Sequence, residues 1–241
     1  MVVICYDFNR MFNNWGDLIM KITLLSETTE YPLTKIGTMA GICWNSPTDD
    51  TEKNIKRAKE CIASGHGRVM EYVDIEFVLD ESSARMMREL YTHIGGDPTR
   101  LQSSTRYVDA TNFTYFTPPK IEADVGIKAI YDKAMTDIAN AYMALVGVGI
   151  PKEDAANVLP LGMNSKMVMK CNLRMLENLM NQRLCSRAYH EIRKFAQQLK
   201  KQLSEKNDEW KWLADNILVP KCEKVGYCIE AKCCGRKPKK V

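Results

Sequence analysis

The segment from Arg100 to Tyr107, RLQSSTRY, sets two guanidinium groups around a run of small hydroxyl and amide side chains. Arg100, Ser103, Ser104, Thr105 and Arg106 supply a compact set of donors, and charge-assisted bonds from guanidinium to an oxyanion are short and can be bidentate. That chemistry suits a phosphate. A loop whose polar groups satisfy one another and solvent is the alternative, and the segment alone does not separate the two.

Two further stretches carry chemistry. Ser64-Gly65-His66 is followed by Glu71, and with His66, His93 and His190 as the only histidines, imidazole acid–base work has few places to occur. A histidine just past a helix stop is otherwise a structural residue. In NLRMLENLMNQRL, Leu173, Leu176, Met180 and Leu184 form an apolar stripe, and on a helical wheel Asn172, Arg183 and Leu176 fall within about 40° of one another. An arginine beside a buried face either snorkels from its edge or needs an anionic or hydrogen-bonding partner. The chain contains no Gly-rich phosphate loop, no G-x-S-x-G and no H-E-x-x-H.

The elements that must hold these residues follow from periodicity. MKITLLSET from Met20 is strand-like, and DDTEKNIKRAKECIASGHG reads as a helix with an Asp/Thr start and a stop at Gly65. YVDIEFVL alternates, with Val73, Ile75, Phe77 and Leu79 on one face, which predicts a strand with one wet side. The segment from Asp80 to Ile94 is expected to be helical behind an Asp cap and to break at Gly95-Gly96-Asp97-Pro98. RLQSSTRY then sits on a loop-to-strand corner running into the β-branched and aromatic residues that follow. From Gly126 to Leu145, Ile127, Ile130, Tyr131, Ala134, Ile138, Ala141, Tyr142 and Leu145 keep the helical period and predict a core helix. A short helical piece after Pro151 and two helices, NLRMLENLMNQRL and RAYHEIRKFAQQLKKQL, make the C-terminal half helical. Strands and helices mix early without regular alternation, so the expected fold class is α+β, a mixed sheet packed with helices.

The formal net charge is +4, but Lys232, Arg236, Lys237, Lys239 and Lys240 lie in the last ten residues without an acid, and removing those five leaves about −1 for the rest. The body is electrically ordinary, which argues against nucleic acid as a partner. No apolar run approaches the ~20 residues needed to cross a bilayer, and the N-terminus lacks the parts of a secretion signal, so the expected location is the cytoplasm. The expected organisation is an N-terminal extension over 1–19, a catalytic domain over 20–220 and a Cys-rich basic tail over 221–241. Cys5, Cys43, Cys61, Cys171 and Cys185 stand singly and are expected as reduced thiols. Cys222, Cys228, Cys233 and Cys234 crowd together, but with no C-x-x-C pair and no nearby histidine no metal site is assigned to them.

Taken in order, GICW (41–44), SGHGRVMEY (64–72), the segment ending in His93, RLQSSTRY, IPKEDAANVLPLG (150–162), NLRMLENLMNQRL and AYHEIRKFA (188–196) resemble the flavin-dependent thymidylate synthases. The resemblance runs from about Met20 to Leu203. It implies an α+β homotetramer with shared active sites that binds FAD and methylates dUMP, with methylenetetrahydrofolate as carbon donor and NADPH or NADH as hydride source. It further implies flavin contacts at Asn172, Arg174 and Asn178, with His66, Glu71, His93 and Gln102 near the cofactor. Ser104, Thr105 and Arg106 match the nucleotide-binding corner, joined by Ser103, and Arg183 matches the catalytic arginine placed against the uracil.

Two departures from the family pattern stand out. The signature Arg-His-Arg followed by seven residues and Ser is replaced by Thr92-His93-Ile94, with nine residues before Ser104, and Ala156 stands where many members carry a phosphate-binding arginine. Arg100, in the lengthened loop, is the expected replacement, with Arg68 or Lys166 as helpers. Two other activities fit less well: methylation of another uracil nucleotide such as UMP, and a non-catalytic nucleic-acid-binding module.

Overall fold

The computed structural model describes residues 20–240; the expected extension over 1–19 lies outside the described residues. In chain order the elements are β1 (Lys21–Leu24), α1 (Pro32–Cys43), α2 (Thr51–Ala63), β2 (Asp74–Ser83), α3 (Ala84–Tyr91), β3 (Thr99–Gln102), α4 (Pro119–Glu122), α5 (Val125–Gly147), α6 (Lys152–Ala155), β4 (Asn164–Asn172), α7 (Leu173–Arg183), α8 (His190–Ser204), α9 (Asp208–Asn216) and α10 (Lys221–Val225). The fold class is α+β, as expected. The chain divides into a larger unit, Lys21–Asp80, Ala84–Ser103 and Ser165–Val241, and a smaller one that includes Glu81–Ser83 and Ser104–Asn164.

The larger unit is organised by the sheet, whose strand order is β1-β2-β4-β3. β1 pairs antiparallel with β2, setting Lys21 opposite Asp80, and β3 pairs antiparallel with β4, setting Gln102 opposite Met167. The alternation read in YVDIEFVL is real: Val73, Ile75, Phe77 and Leu79 are all buried, and Met167, Met169 and Cys171 of β4 are buried beside them. Ile192, Phe195, Leu199 and Leu203 of α8 are buried too, and the Phe77 and Phe195 rings approach to 5.6 Å. Burying each such side chain contributes on the order of 1.5–3 kcal/mol, which makes this face the main driving force of the unit.

Helix ends are set by side chains already visible in the sequence. Asp50 accepts a bond from Lys53 N (3.0 Å) to start α2, and Asn207 accepts one from Trp210 N (3.0 Å) to start α9. The N-terminus of α1 has a less local device: the buried Glu209 carboxylate accepts from Leu33 N at 2.7 Å and Thr34 N at 2.9 Å, placing an anion where the helix exposes its unpaired donors.

Three expectations need correction. Asp80 does not cap a helix: β2 continues to Ser83 and α3 begins at Ala84, because Asp80 is held in the ladder opposite Lys21 and pairs with Lys166 at 2.7 Å. The strand at the RLQSSTRY corner is its own start, Arg100 to Gln102 within β3, whereas the residues after it form turns with an isolated bridge between Tyr115 and Met163. In the smaller unit, α5 is a core helix only in part: Tyr142 packs with Ala110 and Ala155, and Leu145 packs against them. Met135 and Tyr142 are buried, but Ile130 is 73% exposed and Val125 87%. Periodicity reports which residues share a face and says nothing of what covers that face.

Candidate functional site

In the larger unit, the expected catalytic residue Arg183 ends α7 and bonds His93 in the loop after α3, while the expected cofactor residues Asn172, Arg174 and Asn178 lie at the start of α7 and along it. α7 begins where β4 stops because Asn172 caps it, with Oδ1 accepting from Met175 N at 2.9 Å. Asn172 is therefore a cap with extended backbone and not a member of the helix face read on the wheel. Its Nδ2 donates to Gly96 O at 3.1 Å, tying the Gly-Gly-Asp-Pro loop to the helix start. Gly96 has φ +82°, and a Cβ there would lie 3.1 Å from the Asn172 amide, so both backbone conformation and close approach call for glycine.

Arg183, at the last residue of α7, is the best-anchored cation of this region. Its Nε donates to His93 Nε2 at 2.8 Å, Nη1 pairs with Glu89 at 2.9 Å and Nη2 donates to Thr92 Oγ1 at 3.3 Å. Of the two readings of this arginine, snorkelling or partnered, the structure shows the partnered one, with Glu89 of α3 as the carboxylate; nothing in the local pattern of α3 singled it out. Three of the five guanidinium N–H groups are used in these bonds, so two remain to meet a ligand.

His93 is 8% exposed, and burial, followed by the charges of Arg183 and Arg100, pushes its pKa down to about 4. It is a neutral imidazole at pH 7, with Nε2 accepting and the proton on Nδ1. Arg100 reaches the same residue from β3: Nη2 donates to His93 O, the guanidinium lies 5.3 Å over the Tyr91 ring, and Nε is buried with no acceptor among the described residues. Burial lowers the Arg100 pKa, but a guanidinium stays charged throughout the ordinary pH range.

Arg174 pairs with Glu71 at 2.6 Å, and a Cβ at Gly67 would meet Arg174 Nε at 3.2 Å, so the 3-10 turn after His66 supports that guanidinium closely. Arg174, Asn178 and Gln182 are exposed at i, i+4 and i+8, a polar stripe about 12 Å long on one side of α7. Gln102 donates to Ser165 Oγ at 3.3 Å, and Ser103 N donates to Lys166 O at 2.8 Å. Ser104, Thr105 and Arg106 belong to the smaller unit, where Arg106 N donates to Ser104 Oγ at 3.3 Å and Arg106 Nε pairs with Glu153 at 2.6 Å.

A cleft of about 690 Å3 opens along the C-terminal half of α7. Its lining includes Asn178, Asn181, Gln182 and Arg183 and, facing them, residues of α10 and the segment after it. Asn181 Oδ1 is buried there without a donor among the described residues. Nothing in the sequence pointed to this cleft, because it depends on a tail folding back across a helix that precedes it by some forty residues.

The family model described as "Thymidylate synthase complementing protein" matches residues 23–207. The chain belongs to that family. Among its curated relatives, the flavin-dependent thymidylate synthase of Nitratidesulfovibrio vulgaris is 32% identical over 194 residues, covering 73% of this chain and 74% of the relative. Those of Geobacter sulfurreducens (31% over 186 residues, 73% and 79%) and Pyrococcus furiosus (28% over 186 residues, 76% and 74%) bear the same name. The family match contains Arg183, His93, Asn172 and Arg100, and ends before α10.

Among the described residues no group of three or more His, Cys, Asp or Glu side chains is arranged to hold a metal ion, and no helix is long and apolar enough to cross a membrane. The eight described cysteines are free thiols. Cys171 is deeply buried, and desolvation pushes its thiol up to about 12, so it is inert as a nucleophile at neutral pH.

Proposed function

We propose that the chain is a flavin-dependent thymidylate synthase that methylates dUMP to dTMP, with methylenetetrahydrofolate as carbon donor and NAD(P)H as the source of hydride. Its relatives are flavin-dependent methyltransferases, and it is an enzyme of their family. The observation that carries the reading is the three-way anchoring of Arg183 by Glu89, His93 and Thr92, with its side chain 18% exposed at the edge of a cleft. A fixed cation with two free N–H donors stabilises negative charge as it develops on a uracil ring, and needs no proton transfer of its own.

The residues present suit a flavin dinucleotide. The exposed stripe of Arg174, Asn178 and Gln182 offers donors over a length suited to an extended polar ligand. Arg174, Asn178 and Asn172, with His66, Glu71, His93 and Gln102 nearby, would hold FAD, which when bound supplies the hydride-transfer chemistry. His93 stays neutral and works by position: it holds Arg183 Nε while its own carbonyl holds Arg100. Arg100 takes the place of the absent signature arginines as an oxyanion ligand, and Ser103, Ser104, Thr105 and Arg106 serve as nucleotide contacts. Lys166, being paired with Asp80, is not needed for that role. The exposed apolar residues of α5 support assembly of copies into the homotetramer of the family.

The test is incubation of purified protein with FAD, methylenetetrahydrofolate, NADPH and equimolar dUMP and UMP, with products read by mass spectrometry. Methylated dUMP is the expected product. Methylated UMP would move the substrate to the ribonucleotide, and the absence of both products would leave the family relationship without this activity.

A further inference from the structure

The cleft beside α7 has a wall that the family match does not contain. That match stops at residue 207, whereas much of the lining comes from α10 and the segment after it, in the Cys-rich tail. The charge of the lining is one-sided: Arg183, Arg187, Lys221, Lys224, Lys232 and Arg236 face a single carboxylate, Glu230.

Four of these cations are already spoken for. Arg183 pairs with Glu89, Arg187 with Glu230 at 3.2 Å, Arg236 with Glu223 at 3.5 Å, and Lys224 with the buried Glu177. The Lys224–Glu177 pair also anchors α10 to α7, which fixes the wall in place. Lys221 and Lys232 have no ion pair among the described residues. On the opposite wall, Asn181 Oδ1 is a buried acceptor with no donor. The cleft thus presents two exposed lysines outside any ion pair and a buried amide oxygen with no donor among the described residues. Its volume falls within the range of ordinary small-molecule sites.

We propose that this cleft binds the anionic end of a co-substrate, whose oxyanions meet Lys221 and Lys232, whose N–H or O–H group meets Asn181, and whose reacting end lies toward Arg183. The inference rests on the function proposed above, which supplies two molecules of that chemistry. A reduced folate carrying a γ-linked glutamate chain offers amide N–H groups and carboxylates in alternation. A nicotinamide dinucleotide offers ribose hydroxyls and phosphates. Both need the same wall, and the tail supplies it without touching the chemistry at the uracil.

Direct binding separates them and does not depend on turnover. FAD-loaded full-length protein and the double variant Lys221→Gln/Lys232→Gln are titrated calorimetrically with pteroylpentaglutamate, pteroylmonoglutamate and NADPH. A Lys201→Gln/Lys211→Gln variant, altered on α8 and α9, controls for bulk charge, and thermal melts verify that each variant is folded. The expected result is a loss of roughly tenfold or more in affinity for one oxyanion-rich probe, reduced by added salt in the wild type and absent from the control variant. Loss for the pentaglutamate with the monoglutamate unchanged assigns the carboxylate source, and loss for NADPH assigns the phosphate source. Affinities for all three probes within twofold of wild type overturn the proposal, even if dTMP forms normally. Conversely, a protein that makes no dTMP but shows the lysine-dependent loss refutes the activity and leaves the anion site standing.

Discussion

Arg183 Nε donates to His93 Nε2 across 2.8 Å, and this one bond fixes the state of both residues. A guanidinium has no lone pair to offer, so the imidazole nitrogen facing it must be unprotonated. His93 is consequently a positioning residue that orients the arginine, and Glu89 and Thr92 complete the clamp.

Replacing Arg183 by lysine keeps the charge but loses the planar fork that reaches Glu89, His93 and Thr92 together. The expected outcome is a fall in kcat of about 10²–10³-fold, with FAD retained and the dUMP KM changed much less. Steady-state kinetics together with the flavin absorbance of the purified variant check it. Unchanged kcat would remove Arg183 from the reaction.

Arg100 is expected to govern nucleotide affinity instead. Its buried Nε has no acceptor among the described residues, and losing a charged hydrogen bond costs about 1.5–3 kcal/mol. Arg100→Ala should therefore raise the nucleotide KM by about tenfold or more while leaving FAD affinity near wild type. If the KM stays where it was, the lengthened loop compensates for the missing arginines in some other way.

Acid should weaken the fold through its buried histidines. Burial and neighbouring arginines hold both His93 and His190 down to about 4, against an ordinary 6.5. Between those values the unfolded chain binds protons that the folded chain does not, so stability is full above about pH 6.5, falls as the pH drops through the window, and loses nothing further from these groups below about 4. Urea denaturation at a series of pH values measures the slope. His93→Gln, which can still accept from Arg183, should flatten it without lowering stability at pH 7.5 by a comparable amount.

The approach of α1 to α2 depends on a missing side chain. A Cβ on Gly37 would sit 1.9 Å from Asn54 O, and Arg57 Nη1 bridges the two helices by donating to Gly37 O at 3.0 Å and Asn54 Oδ1 at 2.6 Å. Gly37→Ala should destabilise by roughly 3 kcal/mol, because the contact is backbone and cannot rotate away. An equilibrium unfolding midpoint equal to wild type would show that the helices separate at little cost.

How far the sequence alone reached is seen best in α7 and α5. The stripe of Leu173, Leu176, Met180 and Leu184 is buried as its spacing demanded, and the ordered motifs from GICW to AYHEIRKFA carried the family relationship by themselves. Local rules of this kind are legible because side chains at i, i+3 and i+4 share a face whatever the rest of the chain does. The same rule read α5 as core, and there the tertiary structure agreed only in part, since the cover for a helix face comes from elsewhere. β4 went unread because NSKMVMKCN lacks a clean alternation of apolar and polar residues, and pairing with β3 is what holds it extended. The site shows the same division. Residue types nominated Arg100, His93 and Arg183, but the partner that clamps Arg183, the packing that buries His93 and keeps it neutral, and the tail that walls the cleft all join residues distant in sequence. Such contacts are decided by burial and charge in three dimensions, where a guanidinium removed from water takes whichever carboxylate the fold brings within reach.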